Sequence, residues 1–358
     1  MLTNYTRLAG DPEEGHPSTA YSVSDTMIDD CAMDSPDQLK PEEIEGKFEI
    51  AVNQFHPTPG LPIFLRPDFF KLHSPEATKA FHFQMCGKES AKVIAAAAFY
   101  GIESHRYISP WRGSFGALFF TDQSLPLAVN EFFLDCIEAK LQQEGAKELS
   151  MVLPPQTYYP EMTSVLVNLL LRKGYKLTHH ELNYSRAITD EDFSSRVNQG
   201  NRKNLRRAVK RGFVFQRMTP EEIGDAYGII AGNRERRGYP TTMTLEQIEA
   251  MLQAIPGSLL PFCVIDGTRM IAASICIAVD KTVFYVFYWG EIDGYQNPSP
   301  IPFLAQGLYS YCQKEGFKLM DVGTATVEGN PNHGLIRFKR SLGLGESLKL
   351  TFSKSFSG

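Results

Sequence analysis

Strand-like and helix-like segments alternate along the chain from Lys47 onward, and this alternation constrains the fold more than any other feature of the sequence. Apolar residues recur in turn with the two-residue period of a strand and with the 3.6-residue period of a helix. Such alternation favours a sheet covered by helices. Tight Asp266-Gly267 and Asp280-Lys281 turns predict antiparallel hairpins, so we expect a mixed sheet rather than a doubly wound one.

The predicted elements fall into two sets of similar order and length. The first set comprises strands 79–87 and 91–100, helix 125–144, strand 148–153, helix 161–172 and strand 175–188. The second comprises helix 202–211, strand 213–217, helices 220–237 and 245–255, strands 260–265, 270–279 and 283–289, helix 301–316, strand 319–322, helix 331–342 and strand 348–353. We therefore predict an α/β (α+β) fold of two tandem lobes, each with a mixed, largely antiparallel sheet flanked by helices.

The chain of 358 residues is long enough for two domains. Its first 46 residues hold eleven acidic side chains against Arg7 and Lys40, with little apolar periodicity. We predict an acidic extension at 1–46 that adds no catalytic group, with a packed arm as the alternative. The first lobe is predicted at 47–188, and the second, which carries the main site, at 189–358.

The spacing of the cysteines and the length of the apolar runs indicate the cellular compartment. The six cysteines are scattered without a C-x-x-C pair, which is typical of buried thiols in a reducing compartment. No charged-then-apolar leader opens the chain, and its apolar runs are far shorter than the roughly 20 residues of a membrane span. We predict a cytoplasmic protein without integral membrane association. These patterns do not address its oligomeric state.

Phosphate-loop, nucleophile-elbow and zinc-protease motifs are absent from the sequence, as is any metal-spaced cluster of cysteine and histidine. His179-His180-Glu181 has the composition of a metal-binding pair. It lies on a predicted strand, however, where successive side chains point to opposite faces. We predict no metal site.

A basic helix is predicted between Asn201, which can cap it, and Gly212, which can end it. Leu205, Ala208 and Val209 form a narrow apolar stripe, so the basic residues face mostly solvent. They can bind a phosphate-rich partner such as a nucleic acid, and a solvated basic face is the alternative. The candidate anion-binding residues are Arg202, Lys203, Arg206, Arg207 and Lys210.

An aromatic strand contains Tyr285, Tyr288 and Trp289. Core packing explains alternate aromatic residues, but Trp289 at the strand end can also approach a ligand. Ser299 and Pro300 then open a helix whose free N–H groups can hold an oxyanion or a phosphate. Capping of the helix alone also accounts for Ser299.

The most specific segment begins at Asp321 and Gly323, which end a buried strand. An acid and small residues at a strand end are typical of a cleft in an α/β sheet. Arg337 and Lys339 on the next helix cannot share one face, so one of them is expected to point into the cleft. Spacing does not decide which. The candidate substrate-binding residues here are Asn332, His333, Arg337 and Phe338.

The second set of elements resembles the Fem aminoacyltransferases and the tandem GNAT-fold proteins related to them. The shared features are the basic helix, the tyrosine-rich strand, the Ser-Pro helix start, Asp-x-Gly after a buried strand, and F-K-x-x-x-G. The resemblance covers residues 182–352 well. In the first lobe it rests on the order of elements and on a Ser-Pro-Trp-Arg-Gly run, which makes Trp111 and Arg112 candidates for substrate binding.

This resemblance implies two lobes of the GNAT (acyl-CoA N-acyltransferase) fold. It also implies transfer of an amino acid from aminoacyl-tRNA to an amine, usually on a peptidoglycan precursor. Phe338 and Lys339 match the F-K of the family, whose lysine is associated with the nucleic-acid-bearing donor, and Asp321 matches the acid of its D-x-G. The chain departs from the family at Leu342, which replaces an aromatic residue, and in lacking a helical hairpin between the lobes.

Aminolysis of an ester or thioester needs a base for the amine, a stabilised oxyanion and a protonated leaving group. We expect Asp321, or a water that it holds, to take the proton of the amine. Lys339, or the N–H groups after Ser299, would stabilise the oxyanion. Tyr285 and Tyr288 would line the acceptor channel or donate to the leaving group. This scheme requires neither a covalent enzyme intermediate nor a tightly bound cofactor.

The hypotheses that remain open differ in the donor and in the class of protein. The donor is aminoacyl-tRNA, acyl carrier protein or acyl-CoA, and the acceptor is a small-molecule or peptide amine. Residues 297–305 lack the glycines of a CoA-binding loop, which argues against acetyl-CoA. A non-catalytic module that binds an anionic ligand through the basic helix is the third hypothesis.

Overall fold

The computed structural model describes residues 40–103 and 105–356. The helices in this part of the chain are α1 (Pro41–Lys47), α2 (Pro67–His73), α3 (Leu127–Gln143), α4 (Pro160–Arg172), α5 (Gln199–Arg211), α6 (Ile223–Arg236), α7 (Leu245–Ala254), α8 (Pro300–Glu315) and α9 (His333–Ser341). The strands are β1 (Phe48–Val52), β2 (Lys79–Gly87), β3 (Val93–Glu103), β4 (Arg106–Ser109), β5 (Leu118–Phe120), β6 (Glu148–Val152), β7 (Lys176–Ala187), β8 (Val214–Arg217), β9 (Leu259–Asp266), β10 (Arg269–Ala278), β11 (Val283–Glu291), β12 (Leu319–Thr324), β13 (Thr326–Val327), β14 (Asn330–Pro331) and β15 (Gly345–Ser355).

One continuous sheet runs through the described residues in the order β1-β2-β3-β4-β6-β15-β7-β12-β11-β10-β9-β8, with β5 paired to β3. β4 pairs with β6, and β11 with β12, in parallel. The other neighbours along this order are antiparallel. The predicted fold class, a mixed and largely antiparallel sheet flanked by helices, is confirmed.

The last strand of each predicted lobe lies beside the other half of the sheet. β15 pairs with β6, where Phe352 is opposite Met151, and also with β7. β7 pairs with β12, where Ser185 is opposite Asp321. In the sheet, β15 rather than β7 occupies the position beside β6. The lobe boundary at residue 188 stays a prediction.

Three apolar cores hold helices against this sheet. The first packs α3 and α4 on the first half of the sheet and includes Phe352 of β15. The second packs α5 and α8 on the second half. The third, beneath α6 and α7, joins Phe115 and Tyr158 of the first half to Ile230 and Ile275 of the second. Because this core draws side chains from both halves, it fixes one half against the other.

The predicted acidic extension is described only at its end, where Lys40 precedes α1. Ile44 of α1 is 2% exposed and packs into the first core. The rest of the extension, at 1–39, lies outside the described residues. Among residues 40–103 and 105–356, no helix combines the length and the apolar character that crossing a membrane requires.

Candidate active site

Polar side chains share one face of the sheet where β11, β12, β7 and β15 lie side by side. Residues paired across neighbouring strands point to the same face. Tyr285 is paired with Asp321, and Asp321 with Ser185. β15 contributes residues paired with β7 at every second position. The set that we call the polar face comprises Tyr285, Asp321, Glu181, Asn183, Ser185, Ser347 and Lys349.

Two loops from the first half of the chain cover the polar face. Thr157 Oγ1 lies 3.2 Å from Ser185 Oγ and 3.4 Å from Ser347 Oγ. Ser114 Oγ accepts a hydrogen bond of 3.1 Å from Lys349 Nζ. Residues from both predicted lobes therefore meet at this face.

Asp321 lies at the centre of the polar face and is 0% exposed. Its Oδ1 accepts a 2.6 Å hydrogen bond from the backbone N–H of Gly323, and its Oδ2 accepts one from the side-chain amide of Asn183. Burial raises the pKa of this carboxyl to about 6, although both hydrogen bonds and the nearby Lys339 and Lys349 oppose the rise. A carboxylate whose pKa lies close to neutrality is suited to act as a general base.

Lys339 points inward, whereas Arg337 is exposed, which answers the question that spacing left open. Lys339 Nζ donates hydrogen bonds to the carbonyl oxygens of Val322, Gly323 and Thr324 at 2.9, 2.8 and 2.8 Å. An ammonium group has three hydrogens, so all are used. Burial lowers the pKa of Lys339, and the carboxylate of Asp321 opposes that shift. In this arrangement Lys339 fixes the end of β12.

Tyr285 lies beside Asp321 and is half-buried. Burial and the Asp321 carboxylate raise the pKa of Tyr285 well above its usual value, while a hydrogen bond with Ser114 opposes the shift. Tyr285 therefore stays protonated and can donate its hydrogen. Burial also lowers the pKa of Lys349 to about 8, against the attraction of Asp321 and Glu181.

β11 and β10 lose register at Ile275, so Tyr288, paired with Ile275, projects to the same face of the sheet as Tyr285, paired with Ile277. The Tyr288 hydroxyl accepts hydrogen bonds from the N–H groups of Thr242 and Met243, at 2.9 and 3.1 Å, and also contacts the hydroxyl of Thr242. Its polar atom thus holds the segment before α7 and is already fully partnered.

Trp289 and Phe338, both candidates from the sequence, lie together. Their rings meet edge to face with centroids 6.1 Å apart, against the second core. Asn332 caps α9, since its Oδ1 accepts a 3.0 Å hydrogen bond from the N–H of Leu335. His333, the first residue of α9, is exposed.

In the first half, Arg112 is held by Glu76 at 2.8 Å and stacks 4.7 Å from the ring of Trp111. Among the described residues, neither side chain forms a hydrogen bond or an ion pair with the polar face. The same loop nevertheless reaches that face two residues later, at Ser114.

The start of α8 differs from a typical anion-binding helix end. Pro300 and Pro302 lack N–H groups, which removes two of the first donors of the helix. The N–H of Ser299 donates to Asn204 at 2.9 Å, and the Ser299 hydroxyl donates to the carboxylate of Glu291 at 3.0 Å. A carboxylate therefore already occupies this end of the helix, which disfavours a phosphate there.

The basic helix begins earlier than predicted. Asn198, rather than Asn201, is the N-cap, because its Oδ1 accepts a 2.8 Å hydrogen bond from the N–H of Asn201. Gly212 ends the helix at φ 86°, as predicted. Val209 is 65% exposed and so does not belong to the apolar stripe, which contains Leu205 and Ala208.

Four cations of α5 are exposed and have no carboxylate partner among the described residues: Arg202, Lys203, Arg206 and Lys210. Arg207 instead donates to Asn297 at 2.8 Å, and Arg211 pairs with Asp266 at 2.7 Å. A groove of 600 Å³ runs between α5 and α8 and is lined by Arg202, Arg206 and Gln306 among others.

Several residues of the polar face were missed by the sequence analysis. Asn183 and Glu181 of β7, Lys349 of β15 and Ser114 were not among the candidates. The signal was present, because polar residues occupy every second position of both strands, as Glu181, Asn183 and Ser185 show. A polar residue facing the interior at every second position marks a site rather than an apolar core. No group of three or more potential metal ligands lies close together in the described residues.

The chain shares its overall fold with several solved structures. Among solved structures, FemX is similar to this chain with a TM-score of 0.66 and 14% identity, over 84% of this chain and 93% of FemX. No protein-family model matches the sequence, and no curated protein matches it.

Two further structures are similar. The C-terminal domain of a putative lysylphosphatidylglycerol synthetase from Agrobacterium fabrum has a TM-score of 0.54 and 10% identity, over 81% of this chain and 87% of that domain. L-PGS from Bacillus licheniformis has a TM-score of 0.51 and 12% identity, over 74% of this chain and 82% of its own. These likenesses establish the fold.

Proposed function

We propose that this protein is a Fem-like N-acyltransferase, which moves an acyl or aminoacyl group from an activated ester or thioester to an amine. The observation that carries the proposal is the buried carboxylate of Asp321 beside the phenol of Tyr285, on a sheet face covered by both halves of the chain. A base and a hydrogen donor side by side are what aminolysis requires. The fold shared with FemX supports the same reaction class.

In the proposed reaction the amine attacks the carbonyl carbon of the donor and gives its proton to Asp321. The tetrahedral intermediate then collapses. A leaving thiolate, which is less basic than the phenolate of Tyr285, takes the proton of Asp321 directly, whereas a leaving oxygen takes a proton from Tyr285. With an oxygen leaving group, Asp321 then returns its proton to Tyr285. In both cases one proton in total moves from the amine to the leaving group. An alkoxide is basic enough to accept a proton from a phenol of raised pKa.

Lys339 and Tyr288 have supporting roles in this scheme, because their polar atoms are fully partnered. Lys339 holds the strand end on which Asp321 and Gly323 lie, and Tyr288 holds residues 242–243. Access to Asp321, which is fully buried here, requires the loops at Ser114 and Thr157 to move when substrate binds.

Two features bear on the donor and the setting. The start of α8, with Pro300, Pro302 and the carboxylate of Glu291, does not suit the pyrophosphate of CoA. The exposed cations of α5 suit an anionic carrier instead, which favours aminoacyl-tRNA or acyl carrier protein as donor.

We place the reaction in the cytoplasm, since the five cysteines of the described residues are free.

The test offers the purified full-length protein radiolabelled aminoacyl-tRNAs, acyl carrier proteins and acyl-CoAs, together with a pool of amines. Label is expected in an amide product from a tRNA or carrier-protein donor, and its rate of appearance is expected to fall about 100- to 10,000-fold with Asp321→Asn. Asp190→Asn is the matched control, because Asp190 is exposed. Absence of product from every donor would end the enzyme proposal and leave an anion-binding module with α5 as its binding surface.

A further inference from the structure

The proposed reaction needs a donor for the oxyanion, and the groups named for that role in the sequence are occupied. Lys339 uses all three ammonium hydrogens on backbone carbonyls. Ser299 N–H is hydrogen-bonded to Asn204, and the first turn of α8 contains two prolines. A further hydrogen-bond donor must therefore face the carbonyl oxygen of the substrate.

Lys349 is the remaining cation on the polar face. It is paired with Glu181 across β15 and β7, so its side chain projects to the same face as Asn183 and Asp321. In the sheet, β7 lies between β15 and β12, so the strands of Lys349 and Asp321 flank the same neighbour. Lys349 comes from a different strand than Asp321, so the two groups can act on one substrate from two sides.

The hydrogen bonding of Lys349 differs from that of Lys339. Lys349 Nζ donates to Ser114 Oγ at 3.1 Å, and this is its one protein acceptor within the described residues. Two of its three hydrogens are therefore available to a ligand. Glu181 does not form an ion pair with it, because its carboxylate accepts hydrogen bonds from Thr326 Oγ1 and from the N–H of Gly329, the latter at 3.1 Å.

We infer that Lys349 is a catalytic residue, whose ammonium group donates a hydrogen bond to the carbonyl oxygen of the acyl donor. Ser114 is its positioning residue. When the amine forms the new C–N bond, the π electrons of the carbonyl move to its oxygen, and that oxyanion accepts the hydrogen bond while Lys349 keeps its proton. The carbonyl re-forms as the bond to the leaving group breaks, and the leaving group takes its proton from Tyr285 or, when it is a thiolate, from Asp321.

This inference rests on the proposed transferase function, and the two can fail separately. The assay is the transfer reaction of the full-length protein, with initial rates measured for wild type, Lys349→Met, Lys349→Arg and Ser114→Ala. Lys176→Met is the control, because Lys176 is an exposed lysine on β7. Thermal unfolding of each variant shows whether it is folded.

Lys349→Met is expected to lower kcat about 100- to 1,000-fold with little change in KM, the effect of removing one oxyanion donor. Lys349→Arg is expected to recover part of the rate, because a cationic donor remains. Ser114→Ala is expected to lose about fivefold, the cost of one hydrogen bond. If Lys349 only stabilised the fold, its replacement would lower the free energy of unfolding but would not lower kcat while leaving KM nearly unchanged.

The dependence of wild-type kcat on pH gives a second test, which does not require a substituted protein to remain folded. The ammonium form must be present, so wild-type kcat is expected to fall above about pH 8, where Lys349 loses its proton. The charged groups facing Lys349 are Asp321 of β12 and Glu181 of β7, and the carboxyl of Asp321 has already lost its proton at that pH. Lys349→Arg is expected to move this alkaline limb upward.

Three outcomes are distinguishable. A kcat loss with Lys349→Met and an alkaline limb that moves in Lys349→Arg support the inference. Transfer by wild type that Lys349→Met leaves unchanged overturns the role of Lys349 and leaves the proposed function standing. If wild type transfers from no donor, the proposed function is wrong, and the role of Lys349 is wrong with it.

Discussion

Tyr285 and Asp321 form the last pair of the parallel ladder between β11 and β12. β11 continues to Glu291, whereas β12 continues beside β7, where Thr324 pairs with Asn183 after an irregularity at Gly323. The two parallel strands therefore part at the position where a phenol and a carboxylate share one face. Parting of parallel strands at their carboxyl ends makes room for a ligand, which supports the proposed reaction centre at this pair.

Asp321→Asn is expected to lower the transfer rate about 100- to 10,000-fold, because the amine loses its base. The wild-type rate is expected to rise as the pH passes through about 6, where the carboxyl of Asp321 loses its proton. The measurement is kcat/KM between pH 5 and pH 8. A full rate in Asp321→Asn would show that another group, or solvent, takes the proton.

The same substitution has a stability consequence with a defined sign. The folded protein raises the pKa of Asp321 above the usual range of an aspartate, so it binds the proton more tightly than the unfolded chain. The protonated carboxyl thus stabilises the fold below about pH 4, and this contribution is lost as the pH rises through about 6. Wild type is expected to lose stability relative to Asp321→Asn over that interval in urea unfolding, and Asp190→Asn, which retains Asp321, is expected to behave as wild type does.

Lys339→Met is expected to destabilise the protein by about 3 kcal/mol or more. One buried and two partly buried carbonyls lose their donor, and each unsatisfied buried group costs about 1 to 3 kcal/mol. Arg337→Met on the same helix is the control and is expected to change the free energy of unfolding by less than about 0.5 kcal/mol, since Arg337 is exposed.

Equal unfolding free energies for these two variants would contradict the holding role of Lys339. A second consequence concerns Asp321. Burial raises its pKa, and the nearby Lys339 cation partly opposes that rise. Removing that cation is expected to raise the pKa of Asp321 further. The acid limb of the rate profile should therefore move to higher pH in any Lys339→Met protein that remains folded.

Most long elements could be predicted from the sequence because their apolar periodicity is local information. Helix 125–144 corresponds to α3 and strand 270–279 to β10, within a few residues at each end. The resemblance also gave the correct fold. Short elements such as β4, β5 and α2 were not predicted individually, because a few residues carry too little periodicity.

Neither the pairing of strands nor the composition of the site could be predicted in the same way. β15 lies between β6 and β7, a placement set by strand pairing between residues more than 160 positions apart, such as Phe352 and Leu177. The sequence singled out Lys339 by motif, but hydrogen bonds to three carbonyls are a property of the folded backbone. Lys349 has no motif, and its relation to Asp321 arises only when four strands are placed side by side.

Coenzyme A is expected to show no saturable binding to the wild-type protein in calorimetric titration at millimolar ligand. The reason lies at the start of α8, where Pro300 and Pro302 remove two N–H donors and the carboxylate of Glu291 occupies the helix end. Binding with a micromolar dissociation constant would contradict this argument and return acyl-CoA as the donor. Apo acyl carrier protein, titrated in the same way, provides the comparison.

Replacing the four exposed cations of α5 with serine is expected to weaken binding of transfer RNA at low salt. For each phosphate that the variant no longer neutralises, the slope of log K against log salt should fall by about 0.7 to 0.9. Unfolding should be unaffected, because these side chains face solvent. In the control protein, four exposed lysines elsewhere are replaced with serine, so the net charge changes by the same amount. These lysines are Lys88, Lys92, Lys147 and Lys176. If both proteins lose affinity equally, attraction by net charge explains the binding, and α5 is a solvated face with no specific role.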